Sequence, residues 1–214
     1  HLPAYQLAGL QVAAVYDIDE TKARAVAADF SIPVVARSAE ELAGRADVDI
    51  VDIAVLPWVQ PQIVAIVAAA GKHIYTEKPF TLDVKSTDIA LAAIEQARVK
   101  LGISFQRRFH PSMIELRKRV KSGALGTIDY VTAEMSTSTA LTMSKDYWRA
   151  NPKETPAGAM TGIGVHVVDG MIDLFGEIAE VTCINARRAA PNADDTTAVL
   201  LQHTGGVVGT FTGC

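Results

Sequence analysis

The chain has 214 residues, with 20 Lys and Arg against 24 Asp and Glu, a formal net charge of −4, and 49% hydrophobic and 21% charged residues. That balance suits a soluble globular protein of one large or two small domains and supplies no basic field for nucleic acid. No apolar run reaches the length of a membrane span, and Cys183 and Cys214 form no C-x-x-C pair, so a disulfide frame and a bound metal are not expected and a reducing, cytoplasmic setting is.

In chain order, Gln11 to Tyr16 reads as a strand, Glu20 to Ala28 as a helix, Pro33-Val34-Val35 as a short strand, and a further helix begins at Ser38. The apolar run from Val48 to Val55 predicts a buried strand. Pro57, an alanine-rich helical run from Trp58 to Ala70 and the stop Gly71 follow it, and Lys72 to Thr76 makes the next strand. A helix from Asp83 to Ala97 leads to the strand Lys100 to Ser104. Alternation of this kind predicts a parallel sheet with helices on its faces. Beyond Phe105 the pattern changes: a helix from Pro111 to Lys121, then β-type runs at Thr127 to Thr137, Ala179 to Arg187, Thr196 to Gln202 and Gly206 to Thr212, expected to be antiparallel and joined by turns such as His203-Thr204-Gly205-Gly206. The expected fold is α/β, a Rossmann-type parallel domain over residues 1–104 followed by an α+β domain with a mainly antiparallel open sheet over 105–214. Arg117-Lys118-Arg119 with Lys121 reads as the outer face of its helix.

Three residues stand out chemically. Lys78 sits in Glu77-Lys78-Pro79 at the carboxyl end of a parallel strand, where open α/β sheets bind ligands, and Pro79 makes the turn rigid. As a bare tripeptide the same residues more often form a solvated surface pair. Asp17 ends the second expected strand, a place suited to accepting hydrogen bonds from an adenosine ribose and to repelling a 2′-phosphate. It competes with a role as helix cap, for which Asp19 is better placed. His166 follows a glycine-rich entry that starts at Ala159, and Asp169 at i+3 is placed to orient the imidazole, although a lone His in an apolar helix is ordinarily a core residue. Gln60 reads as a polar residue in a first helical turn. Arg107 and Arg108 suit either a substrate carboxylate or hydroxyl or a structural junction.

These segments resemble the family of glucose-fructose oxidoreductase, inositol dehydrogenase and their MocA-like relatives. The resemblance rests on His1-Leu2-Pro3-Ala4-Tyr5, Val15-Tyr16-Asp17, Gly71-Lys72-His73 through Glu77-Lys78-Pro79, Gln106-Arg107-Arg108-Phe109-His110-Pro111, Ser122 to Gly126 and Gly164 to Asp169, all in family order. It spans essentially the whole chain. The G-x-G-x-x-G loop that opens such a domain does not occur in the sequence, so the chain is expected to belong to a longer polypeptide.

The resemblance implies an NAD-dependent enzyme, with NADP as the alternative, contacting the cofactor through Asp17, Val55, Leu56, Pro57, Glu77, Lys78, Pro79 and Gln106. It implies His166 as proton acceptor and Lys78 as its catalytic partner, with Arg107, Trp148, Arg149, Thr161 and Gly162 near the substrate. Two departures stand out: Gln60 replaces a family His, and Gly162 occupies the place, four residues before His166, where many members carry Asp. Three explanations compete: Thr161, Asp169 or Asp173 stands in for that carboxylate, the substrate differs, or catalysis is lost; a different substrate is the expectation. The expected reaction is hydride transfer between the dinucleotide and a secondary alcohol or carbonyl of a sugar, inositol or related cyclic polyol. The competing expectations are a non-catalytic dinucleotide-binding regulator of the same fold and an NADP-linked dihydrodiol or aldehyde reductase. A homodimer or homotetramer through the open sheet of the second domain is expected.

Overall fold

The computed structural model describes residues 1–138, 142–144, 146–158, 160–190 and 194–214; Ala159, the start of the glycine-rich entry, lies outside them. The chain divides into two compact units, His1–Ile103 and Ser104–Cys214.

In the first unit α1 (Leu2–Leu7), α2 (Glu20–Phe30) and α3 (Ala39–Ala43) precede a three-stranded parallel sheet, β1 (Ile50–Ile53), β2 (His73–Thr76) and β3 (Leu101–Ile103), with α4 (Gln60–Ala69) and α5 (Val84–Ala97) as crossovers. Local chemistry sets the helix ends. Asp19 caps α2 by accepting from the N–H groups of Thr21 and Lys22, Ser38 caps α3 through Glu41 N–H, and Asp83 caps α5 through Ser86 N–H. Gly71, at φ 72°, takes the left-handed conformation that lets the chain leave α4 and enter β2 two residues later. The core gathers Val51 and Ile53 of β1, Ile74 of β2, Val64 and Val67 of α4 and Ile94 of α5.

The strands expected at Gln11 to Tyr16 and at Pro33 to Val35 reduce to one isolated parallel bridge, Val15 to Val35. A strand exists through its ladder partners, and here only one register position is paired; the apolar content that suggests a strand does not supply the partner.

The second unit opens with a 3₁₀ turn (Gln106–Phe109) and α6 (Pro111–Lys121). A sheet of β4 (Tyr130–Met135), β5 (Ile178–Ala186), β6 (Thr196–His203) and β7 (Val208–Gly213) follows, in the order β4-β7-β6-β5. Between β4 and β5 lie a 3₁₀ turn at Trp148–Ala150, a π-helical turn at Met160–Gly164 and α7 (Val165–Phe175). Hairpin pairs β5·β6 and β6·β7 are antiparallel as expected, whereas β4 pairs with β7 in parallel. The crossover through α7 returns the chain to the same end of the sheet, so β5 runs with β4, and two hairpin reversals then make β7 run with it too.

β6 alternates between faces: Thr197, Val199, Leu201 and His203 are buried, and the residues between them are exposed. Met171 of α7 packs with Val199, Leu201 and Phe211 on the inner face. The fit is tight at Gly209, where a Cβ would stand 2.6 Å from Leu201 Cδ1 and 3.0 Å from Met171 Cε. Among the described residues no helix is long and apolar enough to cross a membrane, and no group of three or more His, Cys, Asp or Glu is placed to hold a metal ion.

Candidate functional site

In the first unit the site is built where β1 and β2 end side by side, with Ile53 opposite Thr76. The segment after β1 presents apolar surface to solvent: Val55, Leu56 and Trp58 are each exposed. Exposed apolar residues at strand ends make a floor for a flat ligand. Glu77-Lys78-Pro79 follows β2 and is held from two sides. From below, the fully buried Gln60 donates from Nε2 to the Pro79 carbonyl at 2.9 Å, while its Oε1 accepts from the Thr76 hydroxyl. From the other side the Glu77 carboxylate accepts from the Lys78 N–H at 3.0 Å through Oε2 and meets His1 Nε2 at 2.8 Å through Oε1.

Gln60 is the polar residue of a first helical turn that the sequence suggests, and it is fully buried there. Its amide ties the strand end to the turn, and a buried amide needs such partners. Its place on the inward side of an otherwise apolar helix was the signal. His1, Tyr5 and Asp52 were also not picked out by sequence: Tyr5 donates its hydroxyl to Asp52 at 2.8 Å, and His1 Nδ1 lies 2.7 Å from the same carboxylate oxygen. Burial and the hydrogen bond to Asp52 hold the Tyr5 hydroxyl well above the usual phenol range.

Asp17 lies exposed beyond the Val15 bridge and accepts the Asp19 N–H at 2.8 Å through Oδ1, while Asp19 takes the capping work on α2. One oxygen stiffens the turn, and among the described residues Oδ2 has no hydrogen-bond partner. An aspartate used this way keeps an acceptor for a diol.

In the second unit His166 stands in the first turn of α7, 7% exposed, with the Phe105 ring edge-on at 5.9 Å between centroids. The expected orienting group, Asp169, gives both its oxygens to the Arg108 guanidinium, at 2.7 and 2.5 Å, a partner the sequence did not suggest. A planar guanidinium fits a carboxylate with two parallel bonds, which a single imidazole N–H does not match. Arg108 also reaches Asp173 at 3.2 Å, and Arg117 donates to Asp173 at 2.7 Å and to the Arg108 carbonyl at 2.9 Å. Arg108 is thus a structural strut between the 3₁₀ turn and α7. Arg117 faces inward instead of lying on the outer face of α6, because Asp173 is a better partner for it than solvent.

Gly162 lies within the π-helical turn, so the four-residue spacing to His166 does not place the two on one α-helical face. Among the described residues, a Cβ at Gly162 meets nothing within 4 Å. Thr161 gives its hydroxyl to the Pro156 carbonyl. Arg149 lies over Trp148 at 4.6 Å and Tyr147 at 5.9 Å and is exposed, an aromatic-backed cation suited to a hydroxylated or anionic group. Gln106 and Arg107 are exposed, and Arg107 reaches the Met135 sulfur at 3.6 Å.

Residues 1–105 match a model described as an oxidoreductase family with an NAD-binding Rossmann fold, and residues 113–214 match the C-terminal domain model of the same GFO/IDH/MocA family. The chain belongs to the Gfo/Idh/MocA family. Among curated family members it is 26% identical over 209 residues to D-apiose dehydrogenase of Paraburkholderia graminis, covering 97% of this chain and 55% of that protein. It is 30% identical over 203 residues to trans-1,2-dihydrobenzene-1,2-diol dehydrogenase of Mus musculus, covering 94% of this chain and 60% of that one. Of solved family structures, the WlbA dehydrogenase from Bordetella pertussis, in complex with NADH and UDP-GlcNAcA, superposes with a TM-score of 0.90 at 23% identity, covering 99% of this chain and 62% of that one. The chain thus spans a little over half the length of these relatives.

Proposed function

We propose that the protein is an oxidoreductase that moves a hydride between a nicotinamide dinucleotide and a secondary alcohol or carbonyl of a sugar, inositol or related cyclic polyol. The observation that carries this reading is the Glu77-Lys78-Pro79 turn, fixed on two sides at the carboxyl ends of parallel strands in a family whose curated members named above are dehydrogenases. Asp17 would hold the adenosine ribose through its open oxygen, and its charge disfavours a 2′-phosphate, so NAD is preferred to NADP. Leu56, Pro57 and Pro79 would face the nicotinamide end with Gln106. The bound dinucleotide supplies the hydride chemistry. Lys78 orients and polarises the substrate oxygen, and His166 takes or returns the hydroxyl proton; an imidazole suits that task near neutral pH. Arg149 on its aromatic backing serves substrate hydroxyls.

The open space at Gly162 favours keeping a second reading, a dinucleotide-binding regulator without turnover, because the carboxylate common in relatives of this kind is replaced by hydrogen. One assay separates the two: NADH formation across inositols, aldoses, sugar acids and dihydrodiols, with NAD and NADP binding measured in parallel. Turnover with NAD above NADP is expected. Tight binding of dinucleotide with no turnover across the panel would instead establish the regulator.

A second copy of the chain is proposed to cover the outer sheet face, where Tyr130, Ile184, Leu200 and Val208 are exposed beside several threonines and few charges. Sedimentation velocity is expected to give a dimer or tetramer, and a monomer at all concentrations would remove the proposal.

A further inference from the structure

His1 stands between two carboxylates that come from neighbouring strands. Its Nδ1 lies 2.7 Å from Asp52 Oδ2 and its Nε2 lies 2.8 Å from Glu77 Oε1, while the Tyr75 ring stacks at a tilt 5.6 Å away. Ionised carboxylates accept and never donate. Both contacts therefore exist together only when both ring nitrogens carry hydrogen, or when one carboxyl keeps its proton. Burial, with the Glu77 charge in support, pushes the Asp52 carboxyl up, against the pull of the Tyr5 hydrogen bond. Asp52 is anchored by Tyr5 on one oxygen, and its Oδ1 is buried with no hydrogen-bond partner among the described residues.

A half-buried set of polar groups gains little stability over an apolar cluster of the same volume, because desolvation offsets attraction. What the set does have is an output. Glu77, held through Oε1 by His1, uses Oε2 to accept the Lys78 N–H at 3.0 Å, the backbone group next to the carbon from which the Lys78 side chain departs. The series runs Tyr5, Asp52, His1, Glu77, Lys78, and of these only Lys78 is assigned to the substrate.

We propose that His1 is a positioning residue for Lys78, holding the Glu77 carboxylate against the Lys78 N–H so that the lysine departs from the turn in one direction. The inference rests on the role given above to Lys78. If the Glu77 carboxylate loses its grip from His1, it rotates, the turn N–H is released, and the lysine is spread over several directions. His1 itself is not among the residues assigned to the dinucleotide, so its removal is expected to act on the lysine and to leave dinucleotide binding largely intact.

The test compares His1→Ala, Glu77→Gln and the double variant for turnover and NADH binding, and follows hydrogen exchange at the Lys78 amide. Each single change is expected to lower kcat about 10-fold, with KM for the dinucleotide within about 2-fold in His1→Ala, and the double variant to have a kcat no lower than either, since both cut one series. His1→Gln, which restores an N–H donor, is expected to recover part of kcat. Exchange at Lys78 is expected to accelerate in His1→Ala while neighbouring strand amides keep their protection. Multiplied losses in the double variant, or unchanged exchange at Lys78, would overturn the proposal. Exchange decides the His1 connection without any substrate, so a protein that never turns over would sink the enzymatic reading and leave this one separately decided.

Discussion

Replacing Lys78 with alanine is expected to lower kcat by about 10²- to 10⁴-fold, the range for loss of a positioned acid, base or charge partner. NADH affinity is expected to change by no more than a few-fold, because the recognition of the dinucleotide is assigned to Asp17 and to the backbone and apolar groups after β1. The turn should survive the change: its described bonds come from the Gln60 amide, the Glu77 carboxylate and His1, and Gln60 in particular binds the Pro79 carbonyl, not the lysine side chain. Lys78→Arg is expected to stay impaired, since a planar guanidinium cannot present a point charge at the same place. Steady-state rates with fluorescence titration of NADH provide the check, with thermal unfolding as the control for folding. Near-normal turnover in Lys78→Ala would remove the lysine from the mechanism and with it the main support for the site.

The largest stability effect is expected at Asp195→Ala. This aspartate is 6% exposed and takes backbone N–H groups of Arg188, Ala189 and Ala190, the first at 2.9 and 3.0 Å and the others at 2.6 and 2.5 Å, together with the Thr196 hydroxyl at 2.9 Å. It closes the connection between β5 and β6. Removing it leaves several donors without an acceptor, a loss of about 3 kcal/mol when some of them regain water. Burial pushes the Asp195 carboxyl up, but the backbone donors outweigh it and hold the group well below the usual carboxylate range. A folded value below the unfolded one means that the contribution is present above the unfolded pKa of about 3.9 and fades as pH falls below it. Urea unfolding should therefore show a wide gap between wild type and variant near neutral pH and a narrower one in acid. A gap that is constant with pH would show that the carboxylate charge contributes nothing.

The alternation of strands and helices, the Asp and Ser caps and the Glu77-Lys78-Pro79 turn were legible because each depends on residues close in sequence. The βαβ unit from Val48 to Thr76 needs only an apolar run, a helical run and Gly71 to be recognised. What could not be read were long-range choices. Whether Gln11 to Tyr16 becomes a strand depends on its partners, and whether β4 runs with or against β7 depends on how the α7 crossover returns. The salt-bridge set is the clearest case. Asp169 at i+3 from His166 is a reasonable orienting group until Arg108, far off in sequence, takes both its oxygens. Nothing local announced that competition, nor that His1 would reach across to Glu77.

The described bonds that fix the Glu77-Lys78-Pro79 turn come from His1, Gln60 and Thr76, all within the first compact unit, while those that brace α7 come from Arg108 and Arg117, all within the second. The described braces of the lysine turn and those of α7 thus share no residue. On the function proposed above, substitutions that reshape the surroundings of Arg149 need alter none of the described bonds of the lysine turn.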